Sequence, residues 1–245
     1  MSLFKSSNPV LGDKVLDKDY IMVSEGNMTV SGAINKTLIF LAILMASAFG
    51  GYSLMLSGQF PLGAMYAGIF IAIGLAFFAY FKPQYVMYIG GAYCVVEGAV
   101  VGGLSAFYSF LFPGIILQAV VLTGAVLAGM LFLYQARIIK VTQKFRSVLI
   151  MATAGIAIFY FIALILGMFG VTIPLLHSNG PLGIGFSLVV TVIAALNLLL
   201  DFDFIEKGAS KGLPKHMEWY GAFGLIITLV WLYLEILRLL SKLRD

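Results

Sequence analysis

Charge is scarce in this sequence. Only 11% of the 245 residues are charged, while 61% are hydrophobic. An ordinary soluble domain has about 25% and about 45–50% respectively. A water-facing chain of this length would have too little charge to cover its surface. That excludes most soluble enzymes and soluble nucleic-acid binders, and makes the lipid bilayer the expected partner. The net charge of +4 is spread along the chain rather than gathered in a stripe, so it carries no nucleic-acid signal. Cysteine is nearly absent. Cys94 alone permits no disulfide framework and no Cys-based metal site, and reads as a small buried hydrophobe. His177 and His216 are the only histidines, and both lie outside the apolar runs. Zinc chemistry is left almost without ligands, and no cofactor is expected.

What the sequence does have is long apolar runs. A bilayer core of about 30 Å needs about 20 apolar residues as helix. Seven runs meet this, near Thr37–Leu56, Leu62–Phe81, Tyr85–Tyr108, Gly114–Gln135, Val148–Phe169, Leu182–Leu200 and Trp219–Leu240. Most of the breaks between them carry Pro or Gly, which stop helices. The runs are continuous rather than alternating, so a closed barrel is excluded. The expected fold class is an all-α bundle of seven transmembrane helices over residues 37–245.

Residues 1–36 are polar, with Lys5, Lys14, Lys18 and Lys36 set against Asp13, Asp17, Asp19 and Glu25. No apolar stretch follows a short basic start, so this segment reads as a cytosolic leader rather than a signal peptide. The connections after the second, fourth and sixth runs are basic, and those after the first, third and fifth hold no Lys or Arg. That asymmetry places the leader in the cytosol. Arg238, Lys242 and Arg244 then sit at the outer end of the last run. Either that run crosses despite its basic tail or it re-enters; crossing is favoured, because three uncharged loops outweigh one short tail. Arg137, Lys140 and Lys144 fall at helical spacing in the fourth connection. They read as a basic cytosolic loop or as a segment on anionic lipid.

Ionisable groups inside a bilayer are costly and mark functional positions. Glu97 sits midway through the third run, among Val95, Val96, Gly98, Ala99 and Val100, with no base within a turn. The neutral carboxyl is the expected form there. Gly98 and Gly102 beside it form a GxxxG packing face. Asp201 and Asp203 end the sixth run, and Asn197 shares a helix face with Asp201. Asp203, with Glu206 and Lys207 nearby, also reads as a solvated helix end. Glu235 lies in the seventh run three residues before Arg238, and the two also read as a neutralised pair near the interface. Enzyme signatures are missing. Ser187 lacks the second glycine of a membrane serine-protease motif, no phosphate-binding loop occurs, and no Lys lies in the seventh run before its end.

Longer motifs carry a resemblance. The leader has Ser7-Asn8-Pro9-Val10-Leu11 and Met28-Thr29-Val30-Ser31-Gly32. The third run has Tyr93 with Glu97-Gly98. The C-terminal part has Leu200-Asp201-Phe202-Asp203-Phe204, Glu218-Trp219-Tyr220 and Trp231-Leu232-Tyr233-Leu234-Glu235-Ile236-Leu237-Arg238. Over nearly its whole length the chain resembles the bacterial, YccA-like branch of the Bax inhibitor family. The resemblance implies a seven-helix bundle with its last helix near the centre, in a bacterial inner membrane. It also implies a pH-sensitive cation leak, chiefly for Ca²⁺. In such proteins an acid on helix six and one on helix seven share a proton and latch the pore. The matching residues are Asp201 and Glu235, which would also be the weak Ca²⁺ contacts.

Hairpin arithmetic separates these two acids. With a turn near Lys211, the residues level with Asp201 are Ala222–Thr228, and Glu235 lies about 10 Å or more further along. Aligning the terminal Leu237-Arg238-Leu239-Leu240 with the family pattern instead puts Thr228, not an acid, in the latch position that the resemblance implies, and Glu97 becomes an alternative partner for either acid. Two functions follow. One is a proton-sensitive Ca²⁺ or cation leak with Asp201, Glu235, Glu97 and Asp203 as gate or site acids, supported by Asn197 and Arg238. The other is a membrane interaction protein that modulates a protease or stress response through an unidentified membrane partner. An enzyme is not expected.

Overall fold

The computed structural model describes residues 26–171 and 173–244. Residues 1–25, most of the expected leader, lie outside the described residues. Seven helices are long and apolar enough to cross a membrane, one for each expected run. They are α1 (Val30–Leu56), α2 (Leu62–Phe81), α3 (Val86–Leu111), α4 (Ile115–Gln135), α5 (Gln143–Met168), α6 (Pro181–Ser210) and α7 (Met217–Arg244). A 3₁₀ turn, Pro83–Tyr85, leads into α3, and a single helical turn, Pro174–His177, precedes α6.

Caps explain where the helices outrun the apolar stretches. Helix α1 begins at Val30 because the Thr29 hydroxyl accepts the Gly32 backbone N–H at 2.9 Å. Helix α5 begins at Gln143, where the Thr142 hydroxyl accepts from the Phe145 backbone N–H at 3.2 Å. Helix α6 has Pro181 in its first turn, continues past Leu200 to Ser210 and ends before the left-handed Gly212. Arg137 adopts a left-handed φ of 54°. That breaks the helical spacing: Arg137 and Lys140 lie in a loop, and Lys144 falls in the first turn of α5.

Lipid is as apolar as leucine, so helices in a bilayer associate through close packing. Helices α1 and α3 pack most extensively, and their glycines allow it. A Cβ on Gly98 would lie 2.6 Å from the Leu44 carbonyl oxygen, and one on Gly102 would overlap the Ala48 carbonyl. Helix α7 lies at the centre, against α1, α3, α4 and α6. Half of its hydrophobic stretch is buried, against 6% for α5. One core cluster joins Phe40, Tyr93 and Phe223 with Ala72 and Ala79. A second joins Ile115, Ala119, Leu198, Leu232 and Ile236.

Helices α2 and α5 stand outside this centre. The backbone of α2 contacts α3, that of α5 contacts α6, and no Cα of one comes within 8 Å of the other. All three basic connections lie at one end of the bundle, called the basic end below.

Candidate functional site: buried carboxylates around α7

Asp201 on α6 faces α7 in its N-terminal half. A Cβ on Gly224 would stand 3.4 Å from Asp201 Oδ1, and Thr228 lies beside the same carboxyl. Asp201 Oδ2 is buried without a hydrogen-bond partner. Glycine at 224 gives the carboxyl room to approach the helix backbone. The acid lines a cleft of about 370 Å³ between α2, α5, α6 and α7, with Ala76, Tyr80, Arg146, Phe204 and Tyr220 among its walls.

Asp203 turns toward the basic end and is paired. Arg146 of α5 donates to Oδ2 at 2.7 Å, and Lys207 one turn along α6 lies at 2.8 Å. Asn197 does not hold Asp201. Its Nδ2 donates to the Thr153 hydroxyl at 2.9 Å and to the Ile193 carbonyl at 2.8 Å, tying α6 to α5.

Glu235 is fully buried near the opposite end. Arg238 donates to both of its oxygens at 3.0 and 3.1 Å, and the Trp231 indole N–H lies at 3.3 Å. Arg238 also donates to the Tyr160 hydroxyl at 2.6 Å and lies over that ring at 4.8 Å. This is a locally neutralised pair. The structure does not bring Asp201 and Glu235 together. From Gly224 to Glu235 the axis of α7 advances about 16 Å.

Glu97 on α3 is partly buried, and no hydrogen bond or ion pair among the described residues reaches it. Its depth follows from its neighbours. Tyr93 meets Phe223 edge-on at 5.1 Å, and Ser105 shares a 2.7 Å hydrogen bond with Tyr233. Glu97 therefore lies level with about Ile226, close to the depth of Asp201 but on the other helix flanking α7. Among the described residues no three His, Cys, Asp or Glu side chains cluster to hold a metal.

Three further charged residues, Glu218, Lys242 and Arg244, were not among the site candidates read from the sequence. Glu218 is 0% exposed. It accepts from the Thr29 backbone N–H at 2.8 Å and hydroxyl at 2.9 Å, pairs with Lys215 at 2.9 Å, and also pairs with Lys36. Its place in the first turn of a helix was legible, but Thr29 and Lys36 come from the far end of the sequence. Lys242 is buried and donates to the Gly183 carbonyl at 3.0 Å, while Arg244 donates to the Pro113 carbonyl at 3.0 Å. The basic tail is thus folded onto the ends of α4 and α6.

A comparison with curated proteins finds no match. The family described as Bax inhibitor 1 like matches residues 8–245, nearly the whole chain. With its seven apolar helices, this multi-pass membrane protein belongs to the Bax inhibitor 1 like family.

Proposed function

We propose that the protein is a proton-sensitive cation leak, with Ca²⁺ as the chief cargo, and not an enzyme. The observation that carries this is the Asp201 carboxyl: buried, with Oδ2 unpartnered, and lining a cleft between helices. Carboxylate oxygens are hard ligands suited to Ca²⁺. A proton and a cation compete for the same two oxygens, which makes occupancy sensitive to pH. One carboxyl with the Thr228 hydroxyl makes a weak site, and a leak requires weak binding so that the ion departs. Arg146, Tyr80 and Tyr220 are the other polar groups of the cleft wall. Glu97 is a second acid at similar depth on the α3 side. Glu235 neutralises Arg238, whose guanidinium also reaches the Tyr160 hydroxyl of α5.

On this reading the basic end faces the cytosol of a bacterial inner membrane, which the excess of Lys and Arg in its connections supports. The test is Ca²⁺ flux in proteoliposomes at acidic and alkaline pH. Wild-type flux should depend on pH, and Asp201→Asn should remove that dependence. Absent flux, or flux unchanged in Asp201→Asn and Glu97→Gln, would return the protein to a role in membrane interactions.

A further inference from the structure

We infer that the cleft beside Asp201 binds the headgroup of an aminophospholipid, one carrying a phosphate and a primary ammonium. This goes beyond the leak and does not depend on it.

The cleft lies between two outer helices that do not meet. Helix α2 packs on α3 and α5 packs on α6, so the gap between them faces lipid. Ala76 and Tyr80 form one wall, Arg146 and Ile150 the other, and Gly224 and Ile227 of α7 line the floor. The space is a groove of about 370 Å³, open on one side, as a headgroup with its chains in lipid requires. Tyr80 and Phe81 are exposed near the end of α2, and Tyr220 stands across the cleft. Aromatic residues together with a base are the mark of the headgroup level of a bilayer. Exposed Ile73 and Phe77 on α2 and Ile150 on α5 supply apolar surface for acyl chains.

The charges of the cleft are arranged as a pair of opposites. Arg146 and Lys207 share the one carboxylate of Asp203, and Arg146 gives it a single N–H donor atom, Nη2. A guanidinium has donors to spare and matches phosphate geometry. Deeper in, the Asp201 carboxyl accepts no hydrogen bond among the described residues: Oδ2 is sealed off, and Oδ1 stands beside Gly224 on the cleft floor. A phosphate on Arg146 and an N–H-bearing ammonium on Asp201 would satisfy both. A quaternary ammonium has no N–H to give Asp201 Oδ1, and a glycerol headgroup has no positive charge. The arrangement therefore selects a primary amine.

The full-length protein is reconstituted in nanodiscs of equal parts phosphatidylethanolamine, phosphatidylcholine and phosphatidylglycerol. Lipid retained after detergent extraction is measured by native mass spectrometry. The expected result is retained phosphatidylethanolamine in excess over both others. Arg146→Gln should lower its retention about tenfold, the worth of a hydrogen bond to a charged group. Asp201→Asn should bring it down to the phosphatidylcholine level. Ala76→Phe, which fills the cleft and keeps both charges, should also abolish retention, while Arg137→Gln in the exposed loop should leave it unchanged. Thermal unfolding of each variant identifies any that fail to fold, and a folded Ala76→Phe alone suffices as the test. Equal retention of the three lipids, preference for the anionic lipid, or retention indifferent to all of these substitutions would overturn the inference. Because the readout is bound lipid and not flux, its failure is separable from that of the leak.

Discussion

Asp201 of α6 and Gly224 of α7 stand face to face, with room for little more than a methyl group between the carboxyl and the helix: a Cβ at 224 would be 3.4 Å from Asp201 Oδ1. This fixes the level of the acid on the central helix. It places Thr228, one turn further on, where a second carboxyl would complete a proton-sharing pair.

Thr228→Asp should therefore create that pair. Two carboxyls in contact cannot both ionise cheaply, and their protons leave in coupled steps. Infrared titration of carboxyl bands should show a two-step transition in Thr228→Asp and not in Thr228→Asn. A single transition in both would mean that the side chain at 228 turns away from Asp201.

Glu218 fastens the start of α1 to the start of α7. Lys36, whose side chain is 14% exposed, depends on it for neutralisation. Breaking a buried pair by removing one partner costs about 3–5 kcal/mol. Glu218→Gln should lower stability by that order in thermal unfolding in micelles. Glu218→Gln combined with Lys36→Met should cost less than the sum of the single changes, by about 0.5–3 kcal/mol.

Two glycines should respond in opposite directions. Gly102→Ala drives a methyl into the Ala48 carbonyl, whereas a Cβ on Gly124 meets nothing within 4 Å. The first should destabilise by about 1–3 kcal/mol through overpacking. The second should be neutral or stabilise by up to about 1 kcal/mol, since alanine is the better helix former. Unfolding midpoints of the two variants decide this.

Orientation can be read with cysteine labels, because Cys94 is 0% exposed and gives little background. Gln59 and Lys211 are exposed, in the α1–α2 and α6–α7 connections. In intact cells a membrane-impermeant maleimide should label Gln59→Cys, and should label Lys211→Cys only after permeabilisation. The reverse pattern would invert the topology.

The tie between α5 and α6 should be modest. Asn197→Leu removes the hydrogen bond to Thr153, and such bonds between membrane helices average about 0.6 kcal/mol, with a maximum of about 1.7. The unfolding midpoint should fall slightly, while the Asp201-dependent flux persists.

Much of the fold was legible because membrane helices are governed by local rules. Helix α2 runs over the same residues as its apolar stretch, Leu62–Phe81, bounded by proline on both sides. Helices α1, α5 and α6 overran theirs, because caps and paired charges carry a helix beyond its lipid-compatible part. The level of Asp201 on α7 was legible too, since helix rise and hairpin length set it. The partners of the other acids were not. Asp203 depends on Arg146 across α5, and Glu218 on Thr29 and Lys36, contacts made only when distant helices meet.

The sequence by itself determined that this chain belongs in a bilayer, how many helices are long and apolar enough to cross it, and which few acids bear scrutiny, because water and lipid sort residues by composition and helices advance at a fixed rise. Tertiary packing alone decided that Asp203 gains Arg146 from α5 while Asp201 and Glu97 gain no hydrogen-bond partner among the described residues. Arg238 reaches Glu235 along one helix, while Arg146 and Lys207 converge on Asp203. Asp201 is left facing a glycine in an open cleft, because α2 and α5 pack on different neighbours and never close over it.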